Sequence, residues 1–318
     1  MSTCKRFIRI SVIVIALVVP VLFGACEYFL QYALNHDNTD YSVYREFNEL
    51  KDEYSWIVQW VDSIRSTDAL KDTLIVDDNG MKMHAWYVSS PDSMDNTAVI
   101  VHGYKSNPIE MFQIGYLYNN DLRWNILLPD LIAHGMSEGN IIQMGWNDRH
   151  AVEQWIGVAH NIFETDTMVV HGISMGAATT MCVSGDDTPD YVRGFVEDCG
   201  YTSVWDEFEG ELKAQFGLPA FPLLHTASAL CKLQNGWSFT EASPLEQVKK
   251  CTKPMLFIHG DNDDFVPTEM VFPLYESKKG TKEIWLAPNS AHADSYKDHP
   301  EEYTEVVKNF IRKVVLVE

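Results

Sequence analysis

The stretch Val169-Val170-His171-Gly172-Ile173-Ser174-Met175-Gly176 decides the fold of this chain. An apolar run, residues 167–171, stops in the pattern G-x-S-x-G, and residues 176–182 are rich in Ala, Thr and Met. This context predicts a buried strand that turns tightly into a helix, with glycines on both sides of the serine because bulkier residues would not fit. The serine hydroxyl would then lie above the sheet edge, at the N-terminus of the helix. A serine in an ordinary strand-to-helix turn is the simpler alternative.

Short apolar runs alternate with helical patterns from residue 97 onward. The runs are 97–101, 124–128, 167–171, 192–196, 254–259 and 283–287, and helical patterns include 147–163, 270–279 and 300–315. Such alternation predicts an α/β fold, a mostly parallel sheet with helices on both faces. Residues 73–76 and 81–88 flank Asp77-Asp78-Asn79-Gly80, which predicts a hairpin that adds antiparallel strands at one edge.

One long interval, between residues 199 and 254, lacks a strand and is strongly apolar. Its large apolar side chains are Trp205, Phe208, Phe216, Leu218, Phe221, Leu223, Leu224, Leu230, Leu233, Trp237 and Phe239. Because ligands bind at the carboxyl edge of parallel strands, an apolar insertion that emerges there predicts a cap over a site. Helices that pack only for stability are the alternative.

A serine hydroxyl becomes a nucleophile when a base lies within hydrogen-bond reach and a third group orients that base. In a sheet of this kind the expected chain order is serine, acid, histidine, each on a loop after its own strand. Acidic residues follow the run 254–259, and His292 follows the last run. The order fits a triad of Ser174, Asp263 and His292.

The position of His292 sets it apart from the other histidines. Three histidines precede a glycine at the end of a strand-like run and are expected to shape tight turns: His102, His134 and His259. His171 lies inside the strand before the serine, and His299 is expected at a helix start. Only His292 lies in the loop after the last strand, so it is the predicted base.

The acidic loop offers three aspartates. Asp261 is expected to form the turn and Asp264 to be solvated, which leaves Asp263 as the predicted acid. The loop lacks the glycine and the distal glutamate of an EF-hand, which argues against a calcium site.

Ester or amide hydrolysis also needs two backbone donors for the negatively charged oxygen of the tetrahedral intermediate. The N–H of Met175, directly after the serine, is one candidate. The N–H of Tyr104 is the other, because the loop after the first parallel strand contains Gly103, which lets the backbone come close. Residues 130–139 are expected to turn the chain nearby as structural support.

The N-terminus is basic (Lys5, Arg6 and Arg9) and then uncharged over residues 10–26. An uncleaved signal anchor, a lipoprotein signal ending at Cys26 and a cleaved secretory peptide all fit this pattern. In each case the basic flank places the rest of the chain outside the cytoplasm. The uncleaved signal anchor is the favoured interpretation of the three, so we expect residues 1–35 to form a transmembrane segment and the protein to be membrane-anchored.

Residues 36–70 and 71–318 complete the predicted organisation. Apolar residues at spacings of three and four predict an amphipathic helix in the first segment, which either docks on the catalytic domain or pairs with another copy: Tyr44, Phe47, Leu50, Tyr54, Ile57, Val61 and Ile64. The second segment is the expected hydrolase domain, with the cap at about residues 200–252.

The formal charge is −21, and because residues 1–33 carry a net charge of +2, the rest of the chain carries −23. Such a surface would repel phosphate backbones, so nucleic acid is not an expected partner. The cysteines show neither C-x-x-C nor zinc-like spacing. A disulfide between Cys231 and Cys251 and buried free thiols both remain open.

These motifs resemble the α/β-hydrolase superfamily, and in particular membrane-anchored bacterial serine hydrolases of the monoacylglycerol-lipase and serine-aminopeptidase-like group. The resemblance rests on His102-Gly103, residues 130–139, residues 172–176, and the loops of Asp263 and His292. Ile132-Ala133 departs from the usual Arg-Gly of this group, and the cap is short.

The resemblance implies a serine hydrolase that cleaves carboxylic esters of small molecules, without metal or organic cofactor. An aminopeptidase-like amidase, which would need an acidic pocket for a free amine, and a catalytically silent binding or scaffold protein are the alternatives. Dehalogenase chemistry is disfavoured because the turn carries serine and not aspartate. The sequence does not give the oligomeric state.

Overall fold

The computed structural model describes residues 2–36, 40–77, 80–93 and 95–315. Eight strands form one sheet in the order β1-β2-β4-β3-β5-β6-β7-β8. The strands are β1 Leu70–Val76, β2 Lys82–Val88, β3 Asn96–Val101, β4 Asn125–Pro129, β5 Thr167–Ile173, β6 Val192–Asp198, β7 Met255–Gly260 and β8 Lys282–Ala287. The pairs β1–β2 and β2–β4 are antiparallel and all others are parallel. The predicted α/β fold with an antiparallel edge is confirmed.

Twelve α-helices of the described residues surround this sheet. They are α1 Ser2–Leu34, α2 Val43–Glu53, α3 Val58–Ser66, α4 Phe112–Tyr116, α5 Asp148–Phe163, α6 Met175–Ser184, α7 Val204–Phe216, α8 Leu223–Asn235, α9 Pro244–Val248, α10 Val271–Ser277, α11 Ser295–Asp298 and α12 Pro300–Phe310. Helices α5, α6 and α10 cover one face of the sheet. Helices α3, α4 and α12 cover the other.

The sheet is buried on both faces, as β3 shows. Successive side chains of a strand point to opposite faces. Ala98 and Ile100 lie in one apolar core, Val99 and Val101 lie in the other, and all four are fully buried. The carboxyl ends of the central strands therefore project loops from a rigid edge.

The predicted hairpin forms between β1 and β2, from the pair Leu70 and Val88 to the pair Val76 and Lys82. The two central turn residues, Asp78 and Asn79, lie outside the described residues.

The amphipathic pattern predicted for residues 36–70 forms two helices, α2 and α3, and not one. Tyr54 ends α2 with a ψ of 69°, and its N–H still donates to Leu50 O. Because the apolar spacing continues across this break, the pattern alone could not reveal it. Both helices dock on the sheet through buried side chains such as Phe47 and Val61.

Helix α1 is long and apolar enough to cross a membrane over residues Ala16–Leu34, with a mean hydropathy of 1.5. Its last turns pack on α8 of the cap, where Cys26, Leu30 and Leu34 are buried. Between β6 and β7 the chain forms α7, α8 and α9. Residues 204–235, with α7 and α8, are the part of the predicted cap that lines the cavity at Ser174 and are called the cap below, whereas α9 packs on α6 and α10 beside the sheet.

The cysteines that the structure describes with their side chains are free and buried, including Cys231 and Cys251. The open choice between a disulfide and free thiols is thus resolved as free thiols in this structure.

Candidate active site

Ser174 lies in a tight turn between β5 and α6. Its backbone has φ 57° and ψ −120°, a strained conformation for a residue with a side chain. A Cβ on Gly172 would lie 2.0 Å from Gly176 O, and one on Gly176 would lie 2.1 Å from Val101 O. Both glycines are therefore sterically required, and α6 begins directly after the serine.

Ser174, His292 and Asp263 form a continuous hydrogen-bonded row. Ser174 Oγ lies 2.8 Å from His292 Nε2, and His292 Nδ1 lies 2.7 Å from Asp263 Oδ2. The three side chains come from the loops after β5, β8 and β7. The structure thus brings together the three residues that the sequence singles out, although they are up to 118 positions apart.

Four nitrogen atoms surround the carboxylate of Asp263, one of them His292 Nδ1. The N–H groups of Phe265 and Val266 donate to Oδ1 at 3.1 and 3.0 Å, and His259 Nε2 lies 3.3 Å from Oδ2. Burial raises the pKa of Asp263, but the hydrogen bonds from His259 and His292 outweigh burial and hold this pKa below its ordinary value. The carboxylate is therefore ionised at neutral pH and faces the imidazole of His292.

The second imidazole beside Asp263 was not foreseen from the sequence. His259 Nε2 also donates to Val266 O at 2.9 Å, which closes the acidic loop as the predicted turn requires. Its pKa is raised: burial lowers it, but Asp263 and Glu197 outweigh burial. A histidine four residues before the aspartate is the only sequence signal for this contact.

Two other histidines support the loop after β3. His102 Nε2 accepts from Leu131 N, and His134 Nε2 accepts from Lys105 N, both at 3.0 Å. Burial lowers the pKa of His102 to about 4, and the pKa of His134 is also lowered. Both rings are thus neutral acceptors that fix backbone, as turn-shaping residues should be.

Gly103 brings this loop against the serine. A Cβ at Gly103 would lie 3.5 Å from Ser174 Cβ, so the following backbone passes close to the hydroxyl. Tyr104 and Met175 both line the same cavity as Ser174. The two residues predicted as oxyanion donors therefore flank the serine, Tyr104 from the loop after β3 and Met175 from the start of α6.

The turn at residues 130–139 is built around a buried hydrogen bond between two side chains. Asp130 Oδ2 lies 2.5 Å from His84 Nδ1, and a Cβ at Gly135 would lie 1.5 Å from Asp130 Oδ1. Ser137 Oγ donates to Asp130 O and accepts from His84 N. The turn thus has a polar interior in spite of Ile132-Ala133, and its role is structural support.

A cavity of about 210 Å³ opens beside Ser174, and its walls are mostly apolar. The cap contributes, among others, Phe208, Leu212 and Leu224. The sequence predicts this cap, but it gave no sign that α1 also lines the cavity, through Phe29 and other residues.

Two glutamates of α7, Glu207 and Glu211, also line this cavity. Glu207 is buried, and its Oε2 has no hydrogen-bond partner. Burial, together with the charges of Glu211 and Asp263, raises the pKa of Glu207 to about 8. Glu207 is therefore largely uncharged at neutral pH.

Two groups of described side chains have metal-ligand spacing. The first is Cys199 with Asp263 and His292, and the last two of these already belong to the hydrogen-bonded row of Ser174. The second is the surface group His150, Glu153 and Asp186, and Arg149 already pairs with Asp186 at 2.9 Å. Neither group requires a metal ion to satisfy its charges.

Comparison with known proteins places this geometry in a family. The model of the prolyl oligopeptidase family matches residues 138–316. The uncharacterized protein YqkD of Bacillus subtilis is 32% identical over 226 residues, which cover 71% of this chain and 74% of YqkD. Among solved structures, the esterase Pf2001 of Pyrococcus furiosus has a TM-score of 0.64 at 20% identity and covers 79% of this chain and 95% of its own.

An acylaminoacyl peptidase of Pyrococcus horikoshii has a TM-score of 0.61 at 15% identity, over 81% of this chain and 44% of its own. Esterases and a peptidase thus share this fold with the chain. The sheet, the turn at Ser174 and the family match agree with one another. The chain belongs to the prolyl oligopeptidase family of the α/β-hydrolase superfamily and is a hydrolase.

Proposed function

We propose that the protein is a serine hydrolase that cleaves carboxylic esters through an acyl-enzyme. The observation that carries this proposal is the row of hydrogen bonds from Ser174 Oγ through His292 to Asp263, at 2.8 and 2.7 Å. A nucleophile, a base and an orienting carboxylate in this geometry are the parts that acyl transfer needs.

In the first half of the reaction, His292 Nε2 takes the proton of Ser174 as the hydroxyl oxygen attacks the ester carbonyl. The ionised Asp263 keeps the other proton of the ring on Nδ1 and stabilises the imidazolium that forms. The N–H groups of Tyr104 and Met175 bind the negatively charged oxygen, and each such donor contributes about 10²–10³ in rate. His292 then gives its proton to the leaving alcohol, and the acyl group remains on Ser174.

In the second half, a water molecule gives a proton to His292 and attacks the acyl-enzyme. Collapse of this second intermediate releases the acid and returns the proton to Ser174. The same groups act twice, so neither half needs a metal or an organic cofactor.

The cavity favours an ester with an apolar acyl group. Most of its walls are apolar, from Phe208, Leu212 and Leu224 among others. A volume of about 210 Å³ holds about seven groups the size of a water molecule, each of about 30 Å³ in the liquid. An acyl chain of medium length therefore fits better than a bulky lipid.

Two measurements test this proposal. A fluorophosphonate probe should label the wild-type protein and should not label Ser174→Ala. Turnover should be seen with p-nitrophenyl esters, and it should rise with chain length up to about eight carbons, as the cavity volume implies. A folded wild-type protein that the probe does not label would refute the role of Ser174 as nucleophile and favour the catalytically silent scaffold protein.

A peptidase acting on substrates with a free amino group is the second candidate, since Glu207 and Glu211 line the cavity. A carboxylate there could bind an ammonium group. The raised pKa of Glu207, about 8, weakens this reading because an uncharged carboxyl attracts a cation poorly. Exclusive turnover of aminoacyl amides, abolished in Glu207→Gln, would establish the peptidase and overturn the esterase.

We also propose that α1 is an uncleaved signal anchor with the hydrolase domain outside the cytoplasm. The burial of Cys26 under the cap supports this over the two alternatives, because its Sγ contacts Leu223 O at 3.4 Å. Lipidation at Cys26 or cleavage before it would remove this packing. A full-length mass for the membrane-bound protein is the expected result, and a mass beginning at or after Cys26 would contradict it.

A further inference from the structure

The two ends of helix α1 have different surroundings. Leu17, Val18, Val19, Val21 and Phe23 are all more than half exposed. A helix that is apolar on all sides is matched to a lipid environment and not to water. The C-terminal turns, by contrast, bury one face against the cap.

The buried face of α1 is a wall of the cavity beside Ser174. Cys26, Phe29, Leu30 and Ala33 recur at spacings of three and four, so they share one side of the helix. All four line the cavity, together with residues of α7 and α8 such as Leu212 and Leu224. Without α1 the cavity would be open along this side.

The end of α1 also braces the loop beside the serine. Tyr104 Oη donates to Ala33 O at 2.7 Å, and His36 Nδ1 donates to Ala133 O at 2.8 Å. His36 further packs on the ring of His134, which accepts from the Lys105 N–H. The loop that carries the Tyr104 N–H is therefore attached to α1 at Ala33 and, through His134, to His36 just after the helix.

The cavity lies at the level where the uncharged part of α1 ends. Residues 10–26 carry no charge, and Glu27 is the first charged residue after them. With a rise of about 1.5 Å per residue, Leu30 is only about 6 Å beyond Cys26 along the axis. Phe221 and Leu233 of the cap are 72% and 82% exposed, and Tyr28 on α1 is 62% exposed. Such side chains belong at a membrane interface.

From these four observations we infer that α1 anchors the protein in a membrane and that the cavity receives the acyl chain of an ester dissolved in that same membrane. The acyl chain enters between α1 and the cap and lies against Phe29 and Leu30, with its carbonyl at Ser174. Helix α1 is thus at the same time the anchor and a part of the substrate site. This inference rests on the esterase activity proposed above.

Chain-length selectivity tests whether α1 forms the acyl wall. Leu30→Trp fills the cavity, so the rate ratio of p-nitrophenyl octanoate to acetate should fall about tenfold or more, as steric selection in pockets allows. Tyr28→Trp places the same side chain on the exposed side of the same helix and should leave the ratio unchanged. A rate ratio that Leu30→Trp leaves unchanged would overturn the inference that α1 forms a wall of the acyl site. Because a ratio is measured, partial unfolding does not imitate the effect.

The membrane route is tested with full-length protein in phosphatidylcholine vesicles. The substrate is a glycerol that carries a hexadecyl ether and an octanoyl ester, so that it exchanges slowly between vesicles. Octanoate release should be about tenfold faster or more when lipid and protein share vesicles than when they are in separate vesicles, because the shared membrane concentrates them. Equal rates, or no release although p-nitrophenyl octanoate is cleaved, would overturn the route. If the protein cleaves none of these esters, the result would instead overturn the proposed esterase activity.

Discussion

Asp263→Asn is expected to remove almost all activity while the fold persists. In the wild type, Oδ1 accepts from the N–H groups of Phe265 and Val266, and Oδ2 faces His292 Nδ1 at 2.7 Å. Asparagine has the same shape but only one acceptor oxygen. The two backbone donors fix that oxygen in the Oδ1 position, so the amide NH₂ group faces His292.

This exchange changes the tautomer of His292. Nδ1 must now accept a hydrogen bond from the amide, so the ring proton moves to Nε2. Nε2 then donates to Ser174 Oγ at 2.8 Å and cannot take its proton. We expect kcat to fall about 10⁴-fold, the size of the same change in a serine protease triad. At 1.36 kcal/mol per tenfold, this is a loss of about 5.4 kcal/mol in the stabilisation of the transition state.

The assay is steady-state turnover of p-nitrophenyl butyrate, with Ser174→Ala as the baseline. Asp264→Asn is the matched control, because the neighbouring carboxylate is exposed and the substitution is the same. It should retain wild-type turnover. An Asp263→Asn variant within about tenfold of the wild type would show that this carboxylate does not set the tautomer, and the reasoning would be wrong.

Further predictions concern stability. Gly176→Ala should unfold the turn or lower the free energy of unfolding by several kcal/mol, because the new Cβ would meet Val101 O at 2.1 Å. Gly157→Ala, inside α5 with open space around it, should raise the free energy of unfolding by about 0.5–1 kcal/mol. Urea unfolding of both variants checks this contrast. Burial raises the pKa of Asp148 to about 7 from an ordinary 3.8. Between about pH 4 and pH 7 the unfolded chain loses this proton while the folded chain keeps it, so Asp148 alone should lower wild-type stability by up to about 1.4 kcal/mol per pH unit. Asp148→Asn keeps an acceptor for the Gly145 N–H and should make the pH slope shallower by that amount, while Glu207, whose pKa is also raised, keeps its own contribution; a variant with the wild-type slope would contradict this assignment.

Much of the sheet could be predicted from the sequence because its signals are local. The apolar runs match β3 to β8 within one or two residues. The glycines around Ser174 are recognisable because any larger residue at these positions of the turn would clash with backbone. The spatial meeting of Ser174 with Asp263 and His292 was also predictable. The fold fixes the chain order of the three loops, and loops that follow parallel strands all lie at the same edge of the sheet.

The features that the sequence did not reveal depend on tertiary packing. The contact of His259 with Asp263 depends on how the loop after β7 closes, and the pairing of His84 with Asp130 joins strands 46 positions apart. The break between α2 and α3 lies inside an unbroken apolar pattern. The role of α1 in the cavity was hidden for another reason. A segment that is apolar enough to cross a membrane gives no further sign that part of it also packs on protein.

The packing of Cys26 on Leu223 joins segments 197 positions apart. The ribosome therefore makes α1 first and the helix that covers it much later, so the pocket is completed only after its last lining residue, Phe265, has been made. A protease that later cut the chain after residue 36 would leave Leu224, Ala227 and Leu230 of the cap facing water. We expect such a shed form to aggregate and to lose chain-length selectivity, so that under the proposed anchoring the membrane-bound enzyme would be the selective one.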